Sequence, residues 1–437
     1  MRRYQPYPAY KDSGVEWLGE VPTPWSIHPG RRLYSQKRET AYDGDEQLSA
    51  TQRYGVIPQR LFMELEDQKV TLALSGTDNF KHVEIDDFVI SLRSFQGGIE
   101  RSKYAGCVSP AYTVLRSTRP VNASFMGYVL KSDGYISALQ SVTDGIRDGK
   151  NISYDQFGQI GLPVPDVVEQ TAIATFLDRE TAKLDTLIAK QEKLIELLQE
   201  KRQALISHAV TTGLNPDVPM KGSGVEWVGD VPAHWKVLRV KEIATFITSG
   251  PRGWSERIGE SGSLFIQSGD LNDVMQVRFE DAKRVEILED AEAVRTQLNT
   301  GDVIVCITGA KTGNVAVCEF LPERAFINQH LCLIRPGRVI VSKYLGLVLK
   351  SEIGSTYFEL SQYGLKQGLS LENVRDASIP LPPLDEQKTI SEFIACETRK
   401  LDTLIEKSRR LIDLLREHRT ALISAAVTGK IDVREAG

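Results

Sequence analysis

The chain carries the same short motif twice, and this repeat limits its fold more than any other feature. Residues 13–25 are SGVEWLGEVPTPW and residues 223–235 are SGVEWVGDVPAHW, so the second copy begins 210 positions after the first. Nine of the 13 paired positions are identical, and two of the identical pairs are tryptophans. Self-similarity at a fixed offset indicates repeated structural units. We therefore expect one fold to be built twice.

A second and longer repeat follows each motif. Related segments begin at Pro163 and Pro380, 217 positions apart, and both contain KLDTLI and later ALIS. Between the motif and this segment lie two divergent blocks, 26–162 and 236–379, which share only short echoes such as VSPAYTVLR and INQHLCLIR. The order is motif, divergent block and conserved segment, twice over. This order predicts two units whose ends stayed alike while their middles diverged.

The two conserved segments are predicted to be long helices. Residues 169–210 and 386–427 contain no Gly or Pro and are rich in helix-forming residues. Each would be roughly 63 Å long at 1.5 Å per residue. We expect the two helices to pair as an internal antiparallel coiled coil, although each helix packing on its own block is an alternative. The apolar stripe comprises Leu184, Leu187, Ile188, Leu194, Leu198, Leu205, Leu401, Leu404, Ile405, Leu411, Leu415 and Leu422.

The divergent blocks combine strand and helix patterns. Short β-branched and aromatic runs between Gly-rich turns predict strands, and residues 124–134 and 342–352 predict a matching pair of helices. The expected fold is therefore α+β: two globular mixed α/β domains joined by two long antiparallel coiled-coil helices, with a pseudo-twofold arrangement. The expected divisions are 1–162, 163–212, 213–379 and 380–437.

Composition excludes several classes of protein. The 41% of hydrophobic residues suffices for a core, and no apolar run approaches the roughly 18 residues of a membrane span. We expect a cytoplasmic protein with no membrane contact. The five cysteines form no close pair, which argues against a disulfide framework or a cysteine zinc site. The net charge of −5 gives no general affinity for nucleic acid, although an acidic chain can still have a local basic face.

No catalytic constellation is evident. The six histidines are scattered without metal-ligand spacing. Gly145, Gly149 and Lys150 resemble a phosphate loop, but three residues separate the glycines where four are required, and Asn151 replaces the hydroxyl residue. We expect no enzymatic activity, no cofactor and no metal.

Basic and amide residues near the Gly-rich turns of both blocks are candidates for DNA contacts. Arg and Lys can contact guanine edges or phosphates, and Asn and Gln can bracket adenine. For any one of these side chains, a solvated loop residue is the alternative. The candidates are Arg93, Gln96, Arg101, Lys103, Arg147, Lys150, Arg252, Lys311, Asn328, Lys366 and Gln367.

This layout resembles the specificity subunit of type I restriction–modification enzymes. The resemblance lies in the two SGVEW motifs, in LPVPDVVEQ and LPLPPLDEQ before the helices, and in the ALISHAVTTG and ALISAAVTG endings. It implies two target-recognition domains that each read one half of a bipartite double-stranded DNA sequence. It also implies a coiled coil that sets the spacer and docks two modification (methyltransferase) subunits, to which restriction (translocase and nuclease) subunits are added.

Two other functions are compatible with the residues alone. One is a stand-alone DNA-binding protein, which would need no methyltransferase partner. The other is a scaffold whose coiled coil is its main functional element and whose blocks bind protein.

Overall fold

The computed structural model describes residues 4–66, 79–91, 98–142, 152–288, 290–362 and 368–434. Its contacts divide the chain into two units. Unit 1 contains Met1–Gln191 and Arg410–Gly437, and unit 2 contains Glu192–Arg409. Both boundaries fall inside long helices, so each long helix contributes one part to each unit.

The first half of the chain contains twelve strands and six helices within its described residues. They are β1 (Tyr10–Asp12), β2 (Glu20–Pro22), β3 (Ser26–Pro29), α1 (Gly30–Leu33), β4 (Tyr34–Lys37), β5 (Leu48–Thr51), β6 (Gly55–Pro58), α2 (Gln59–Glu66), β7 (Lys81–Val83), β8 (Phe88–Ile90), β9 (Ile99–Arg101), β10 (Gly106–Val108), β11 (Thr113–Ser117), α3 (Ala123–Leu130), α4 (Asp133–Ser141), α5 (Tyr154–Gln159), β12 (Gly161–Val164) and α6 (Val167–Thr212).

Together with two short 3-10 helices, Trp254–Arg257 and Ser268–Asp270, the second half contains twelve strands and six α-helices across the residues that are described there. They are β13 (Met220–Gly222), β14 (Asp230–Pro232), β15 (Lys236–Arg239), α7 (Val240–Ile243), β16 (Ala244–Ser249), β17 (Ile258–Gly259), β18 (Ser263–Ile266), β19 (Lys283–Val285), α8 (Ala291–Thr296), β20 (Val303–Cys306), β21 (Val315–Val317), β22 (Ala325–Ile327), β23 (Leu331–Pro336), α9 (Ser342–Lys350), α10 (Glu352–Ser361), α11 (Leu371–Asp376), β24 (Ser378–Leu381) and α12 (Leu384–Val427).

Each unit is built on a four-stranded antiparallel sheet of the same order. The sheet is β4-β11-β8-β9 in unit 1 and β16-β23-β20-β21 in unit 2. The two runs that echo each other in the sequence end in β11 and β23, which occupy the same place in their sheets. The duplication inferred from the ends of the units therefore extends through the divergent blocks.

The elements around the sheets are duplicated as well. Each SGVEW motif forms the turn of a two-stranded hairpin, β1-β2 or β13-β14, and its glycines have the positive φ that favours glycine (68° at Gly14 and 77° at Gly224). Strand β3 pairs with β12 just before α6, and β15 pairs with β24 just before α12. Ser153 and Ser370 close equivalent capping boxes at α5 and α11.

The remaining strands differ between the units. Unit 1 adds the two small sheets β5-β6 and β7-β10, whereas unit 2 adds a second four-stranded sheet, β17-β19-β18-β22. These additions account for the poor sequence match between the blocks, because they are different structures inserted into one frame.

The two long helices pack side by side in both units. In unit 1 Arg419 lies 3.0 Å from Asp185, and in unit 2 Arg202 lies 3.3 Å from Asp402, measured between guanidinium Nε and carboxylate Oδ1. Because a later position on α6 meets an earlier position on α12, the helices are antiparallel. The expected coiled-coil pairing is present, and both helices also contribute to the cores of the units.

The predicted leucine stripe is wider than the seam between the helices. Leu184, Leu198, Leu401, Ile405 and Leu422 are buried, and Ile188, Leu205 and Leu415 are half-buried. Four others are 41–47% exposed: Leu187, Leu194, Leu404 and Leu411. A two-helix seam accommodates two positions per heptad, so the additional apolar positions of each helix fall beside it.

Among the described residues, no helix has both the length and the apolar character needed to cross a membrane.

Candidate nucleic-acid interface

A hydrogen bond from a fully buried tryptophan links each SGVEW motif to the long helix that follows its block. The indole of Trp25, which is fully buried, donates from Nε1 to Glu169 Oε1 at 3.0 Å. In unit 2 Trp235, also fully buried, donates to Glu386 Oε1 at 3.1 Å. The two most repeated features of the sequence are thus partners in space, and they close each unit around its divergent block.

The glutamine after each of these glutamates performs a second linking role. Gln170 accepts from the backbone N–H of Asn122, the cap of α3, at 2.8 Å and donates to the carbonyl of Pro165. Gln387 accepts from Val341, the cap of α9, at 2.8 Å and donates to Pro382. Both amides are fully buried, so the EQ pair holds the start of the long helix against the block's matching helix.

Each central sheet also contains an ion pair with a buried carboxylate, which the sequence motifs did not reveal. Arg116 makes a two-pronged contact with Asp87, with distances of 3.0 and 2.8 Å. Arg335 makes the same contact with Asp302, at 2.9 Å for both prongs. The carboxylates are 2% and 1% exposed. The arginines end the echoed runs VLR and LIR. Asp87 and Asp302 come directly before β8 and β20, the strands that pair with β11 and β23, and their position before an apolar run was the signal available in the sequence.

Candidate residues of unit 2 converge on one edge of its central sheet. Strands β16 and β20 end at this edge, and β21 and β23 begin there, because Ser249 pairs with Cys332, Cys306 with Leu331 and Val305 with Val315. We call it the loop edge. The segments that leave it carry Arg252, Lys311 and Asn328. These residues are far apart in the sequence, and only strand pairing brings them together.

A further segment reaches the loop edge from another part of the chain. Thr308 forms an antiparallel bridge with Gly368, and Leu369 donates its backbone N–H to the carbonyl of Ile307 at 2.8 Å. The GLKQG run therefore ends against the turn that contains Lys311. The candidates Lys366 and Gln367 lie just before this bridge but outside the described residues.

The three described candidates of unit 2 are in different environments. Arg252 is exposed and makes no hydrogen bond or ion pair with other described residues. Lys311 is exposed and donates from Nζ to the carbonyl of Leu271 at 3.2 Å. Asn328 is 4% exposed, and its side chain accepts from the backbone N–H of His330. Arg252 and Lys311 are open to a ligand, whereas the geometry of Asn328 favours shaping the turn.

The two described candidates of unit 1 lie at the opposite edge of their sheet. Arg101 ends β9, and its guanidinium contacts Asp86 and Ser124. Lys103 is exposed and without a polar partner in the described part of the chain. Both line a cleft of about 410 Å³ beside the end of α3. The other candidates of unit 1, Arg93, Gln96, Arg147 and Lys150, fall outside the described residues.

A lysine at the end of the matching helices turns inward in both units. In unit 1 Lys131 contacts the buried carboxylate of Glu100, and in unit 2 Lys350 donates to the amide oxygen of Asn314 at 2.7 Å. Burial raises the pKa of Glu100 to about 7 in spite of the nearby ammonium group. Burial also lowers the pKa of Lys350. The lysine of unit 1 thus contacts an ionisable carboxyl group, Glu100, whereas the lysine of unit 2 donates to a neutral amide, Asn314.

No group of three or more potential metal ligands from His, Cys, Asp and Glu occurs within the described ranges.

Comparisons with known proteins agree with this duplicated frame. A family model described as a type I restriction modification DNA specificity domain matches residues 232–412. The EcoKI specificity subunit of Escherichia coli K12 is 24% identical over 332 residues, which are 73% of this chain and 68% of that protein. The EcoBI specificity subunit of Escherichia coli is 26% identical, over 59% of this chain and just over half (55%) of that protein.

Solved structures share the fold across almost the whole chain. A chain from a study of complex assembly and conformational transition of the type I R-M system has a TM-score of 0.67 at 17% identity, covering 93% of this chain and 98% of that one. The HsdS subunit of Thermoanaerobacter tengcongensis has a TM-score of 0.54 at 16% identity, with 94% and 98% coverage. The chain is therefore similar to specificity subunits of type I restriction–modification systems in the domain that residues 232–412 match, in sequence over 73% of its length and in fold across almost all of it.

Proposed function

We propose that this chain is the DNA-recognition subunit of a type I restriction–modification complex, in which each unit reads one half of a bipartite target. The observation that carries the proposal is the presence of one frame twice, with different loops and added strands in each copy. A duplicated frame is suited to present two recognition surfaces to one duplex, and divergence within the frame allows the two half-sites to differ.

The loop edge of unit 2 supports a DNA-binding role. It presents Arg252 and Lys311, two exposed cationic side chains from segments that are distant in sequence. Arginine can read guanine edges in the major groove, and lysine can contact phosphates or guanine. A local cationic edge also reconciles DNA binding with the net charge of −5.

The exposed leucines beside the helix seam support docking of protein subunits. Leu187 and Leu194 on α6 correspond, 217 positions later, to Leu404 and Leu411 on α12, and all four are 41–47% exposed. Apolar side chains that recur in this way on two helices suit two copies of one partner. We assign these surfaces to two modification subunits, which would supply methyl transfer, while the chain itself contributes recognition without catalysis. Restriction subunits would join that complex.

Exchange of one block tests the bipartite function. A complex containing the block 26–162 of another specificity subunit should methylate a target with one new half-site and one unchanged half-site. Exchange of 236–379 should change the other half. The measurement is mapping of methylated adenines in cells that carry each hybrid. A hybrid that changes both half-sites, or DNA binding that needs no modification subunit, would favour one of the alternative functions.

Point substitutions test the loop edge. Arg252→Ala and Lys311→Ala should weaken DNA binding, and loss of a phosphate contact should reduce the salt dependence by about one unit of slope. Loss of a base contact should instead relax one position of the target at a cost of about 1–3 kcal/mol. Arg338→Ala is the matched control, because Arg338 is exposed and follows the opposite end of β23. Equal effects of all three substitutions on DNA binding would contradict the assignment of the loop edge as a DNA-contacting surface.

A four-residue insertion after Glu200 tests the proposed role of the helices in setting the spacer. Four residues add about one helical turn, or roughly 6 Å, which corresponds to close to two base pairs at about 3.4 Å each. The spacer should lengthen by one or two base pairs while both half-sites stay the same. An unchanged spacer in a fully active complex would show that α6 does not set it.

A further inference from the structure

Unit 2 has an open apolar groove at the end of α6. The groove has a volume of about 740 Å³ and lies between α6, the segment that follows it, and α12. Three large apolar side chains on its rim are about equally exposed: Leu214 (38%), Met220 (42%) and Phe393 (40%). Apolar side chains grouped in this way mark a surface that is covered in the working protein.

The equivalent place in unit 1 is already filled. Phe176, which corresponds to Phe393 at the offset of 217, is only 4% exposed. The ring of Tyr4 lies edge-on against it, with 5.3 Å between the centroids. An aromatic side chain from the chain's own amino-terminal segment therefore occupies this place in unit 1.

The sequence shows why unit 2 is left open. At the offset of 210, Tyr4-Gln5-Pro6 corresponds to Leu214-Asn215-Pro216, so the same backbone position carries leucine instead of tyrosine. Leucine lacks the ring that covers Phe176 in unit 1. The groove is thus the place of a missing aromatic side chain within a conserved frame.

The charge of the groove limits what can fill it. Its ionisable lining residues are Lys201 and His208, and no carboxylate lines it among the described residues. An acidic segment suits this surface. A second copy of this chain would bring Tyr4 after Arg2 and Arg3, so like charges would oppose its binding.

The groove continues the helix surface that we assign to a modification subunit. Leu197, which is 49% exposed, lies four residues before Lys201 on α6, and Ala204 and His208 follow on the same face. On α12, Phe393 and the exposed Leu404 are eleven residues apart, which also places them on one face.

We propose that the groove of unit 2 receives an aromatic side chain from an acidic segment of the modification subunit. This proposal rests on the proposed function. It makes the two docking positions unequal, because Tyr4 fills the place in unit 1 and the partner must fill it in unit 2.

Leu214→Tyr is the sharpest test, because it supplies in unit 2 the residue that unit 1 already accommodates. In titrations of this variant with the modification subunit of its complex, one of the two binding events should weaken by about tenfold or more. The other should not change. Leu360→Tyr, at a 71% exposed leucine of unit 2 outside the groove, is the matched control and should leave both events unchanged.

Phe393→Ala provides a second route if Leu214→Tyr does not fold, and it should weaken the same binding event. An environment-sensitive dye on Cys396 gives an independent signal, because Cys396 is exposed and the other four cysteines are buried. The dye emission should shift when the modification subunit binds, and Leu214→Tyr should abolish that shift.

The outcomes separate this proposal from the proposed function. Unchanged affinities in folded Leu214→Tyr and Phe393→Ala, in a complex that still methylates DNA, would overturn the groove assignment alone. Failure of the wild-type chain to bind the modification subunit would overturn both. Self-association of the chain that Leu214→Tyr abolishes would identify a second copy as the occupant and would also overturn the groove assignment.

Discussion

Units 1 and 2 share their central sheets, their ion pairs and the bonds that attach each block to a long helix, yet they differ around these features. Glu169 accepts from Tyr7 as well as from Trp25, whereas Glu386 pairs with His234 in place of a tyrosine. Each shared contact includes at least one buried side chain and joins elements that are distant in sequence. The differences lie at edges and added strands.

This comparison separates two demands on the sequence. The frame must hold a block against the helices whatever the block contains, so the residues that perform this task are the same in both units. The block must present a distinct surface, so its loops and extra sheets are free to change. Matched substitutions at a shared contact, one in each unit, measure whether that contact contributes equally to the stability of both units.

The largest difference in stability loss between the two units is expected when the aspartate of each central ion pair is replaced. The carboxylate of Asp302 accepts two hydrogen bonds from Arg335, and a hydrogen bond to a charged group contributes about 1.5–3 kcal/mol, so its removal should cost about 3–5 kcal/mol. Asp302→Ala should have this effect, since Asp302 is the only carboxylate within ion-pair distance of Arg335 among the described residues. Asp87→Ala should cost less, because Arg116 keeps Glu39 and Glu84 at 3.1 and 3.2 Å.

Denaturant unfolding with segment-resolved hydrogen exchange measures both substitutions in the full chain. Leu360→Ala, at an exposed site, is the control for a change without buried consequences. Equal losses from the two aspartate substitutions would show that Glu39 and Glu84 do not compensate for Asp87.

The second largest difference is expected in how the stability of each unit depends on pH, because unit 1 contains the buried carboxyl group of Glu100. The pKa of this carboxyl is raised from 4.5 to about 7 in the folded state by burial, so the folded chain binds a proton that the unfolded chain has lost between these values. Unit 1 should therefore lose stability as the pH rises from 4.5 to 7. The shift limits the loss to about 3 kcal/mol. Unit 2 has the neutral Asn314 as its lysine acceptor and should lack this contribution.

Hydrogen exchange of β9 and β21 as a function of pH checks this difference. Glu100→Gln should remove the pH dependence from β9 over that window and leave β21 as it was. A slope that persists in Glu100→Gln would assign the titration to another group.

The repeated features were predictable from sequence because they follow local rules. The two long helices lack Gly and Pro, and the structure extends them by only a few residues, to Val167–Thr212 and Leu384–Val427. The predicted helices near 124–134 and 342–352 are confirmed as α3 and α9, each followed by a second helix.

The surface residues were harder to predict because strand pairing decides their neighbours. Arg252 and Lys311 meet at one edge, whereas Arg101 and Lys103 lie at the opposite edge of the equivalent sheet, and nothing in their local sequences distinguishes these cases. Asn328 resembled a solvent-facing amide, but its place in a tight turn buries it. The leucine stripe likewise predicted two long helices, but its spacing did not indicate which of the leucines would lie in the seam between them.

Loss of a hydrogen bond to Glu169 or Glu386, at the start of the long helices, should produce a smaller difference in stability between the units. Tyr7 is 4% exposed and donates to Glu169 at 2.7 Å, and a hydrogen bond to a charged group contributes about 1.5–3 kcal/mol. Tyr7→Phe should destabilise unit 1 by an amount near the lower end of this range, because Trp25 still bonds Glu169. His234→Ala should cost under about 0.5 kcal/mol, since that imidazole is exposed. Thermal unfolding of both variants provides the comparison, and a larger loss from His234→Ala would reverse the ranking.

The ion pairs between the long helices should have the smallest effect. Exposed pairs contribute about 0–1 kcal/mol, because water screens the charges and long side chains lose freedom when they pair. Arg202 and Asp402 have side-chain exposures of 19% and 42%, against 39% and 55% for Arg419 and Asp185. Asp402→Asn should therefore cost slightly more than Asp185→Asn, with both under about 1 kcal/mol. Double-mutant cycles that include Arg202→Gln and Arg419→Gln isolate the energy of each pair.

Equal coupling energies that vanish together in high salt would show that solvent exposure does not distinguish the two ends of the coiled coil. A coupling energy of several kcal/mol at Asp402 would instead place that pair among the buried contacts that define the frame.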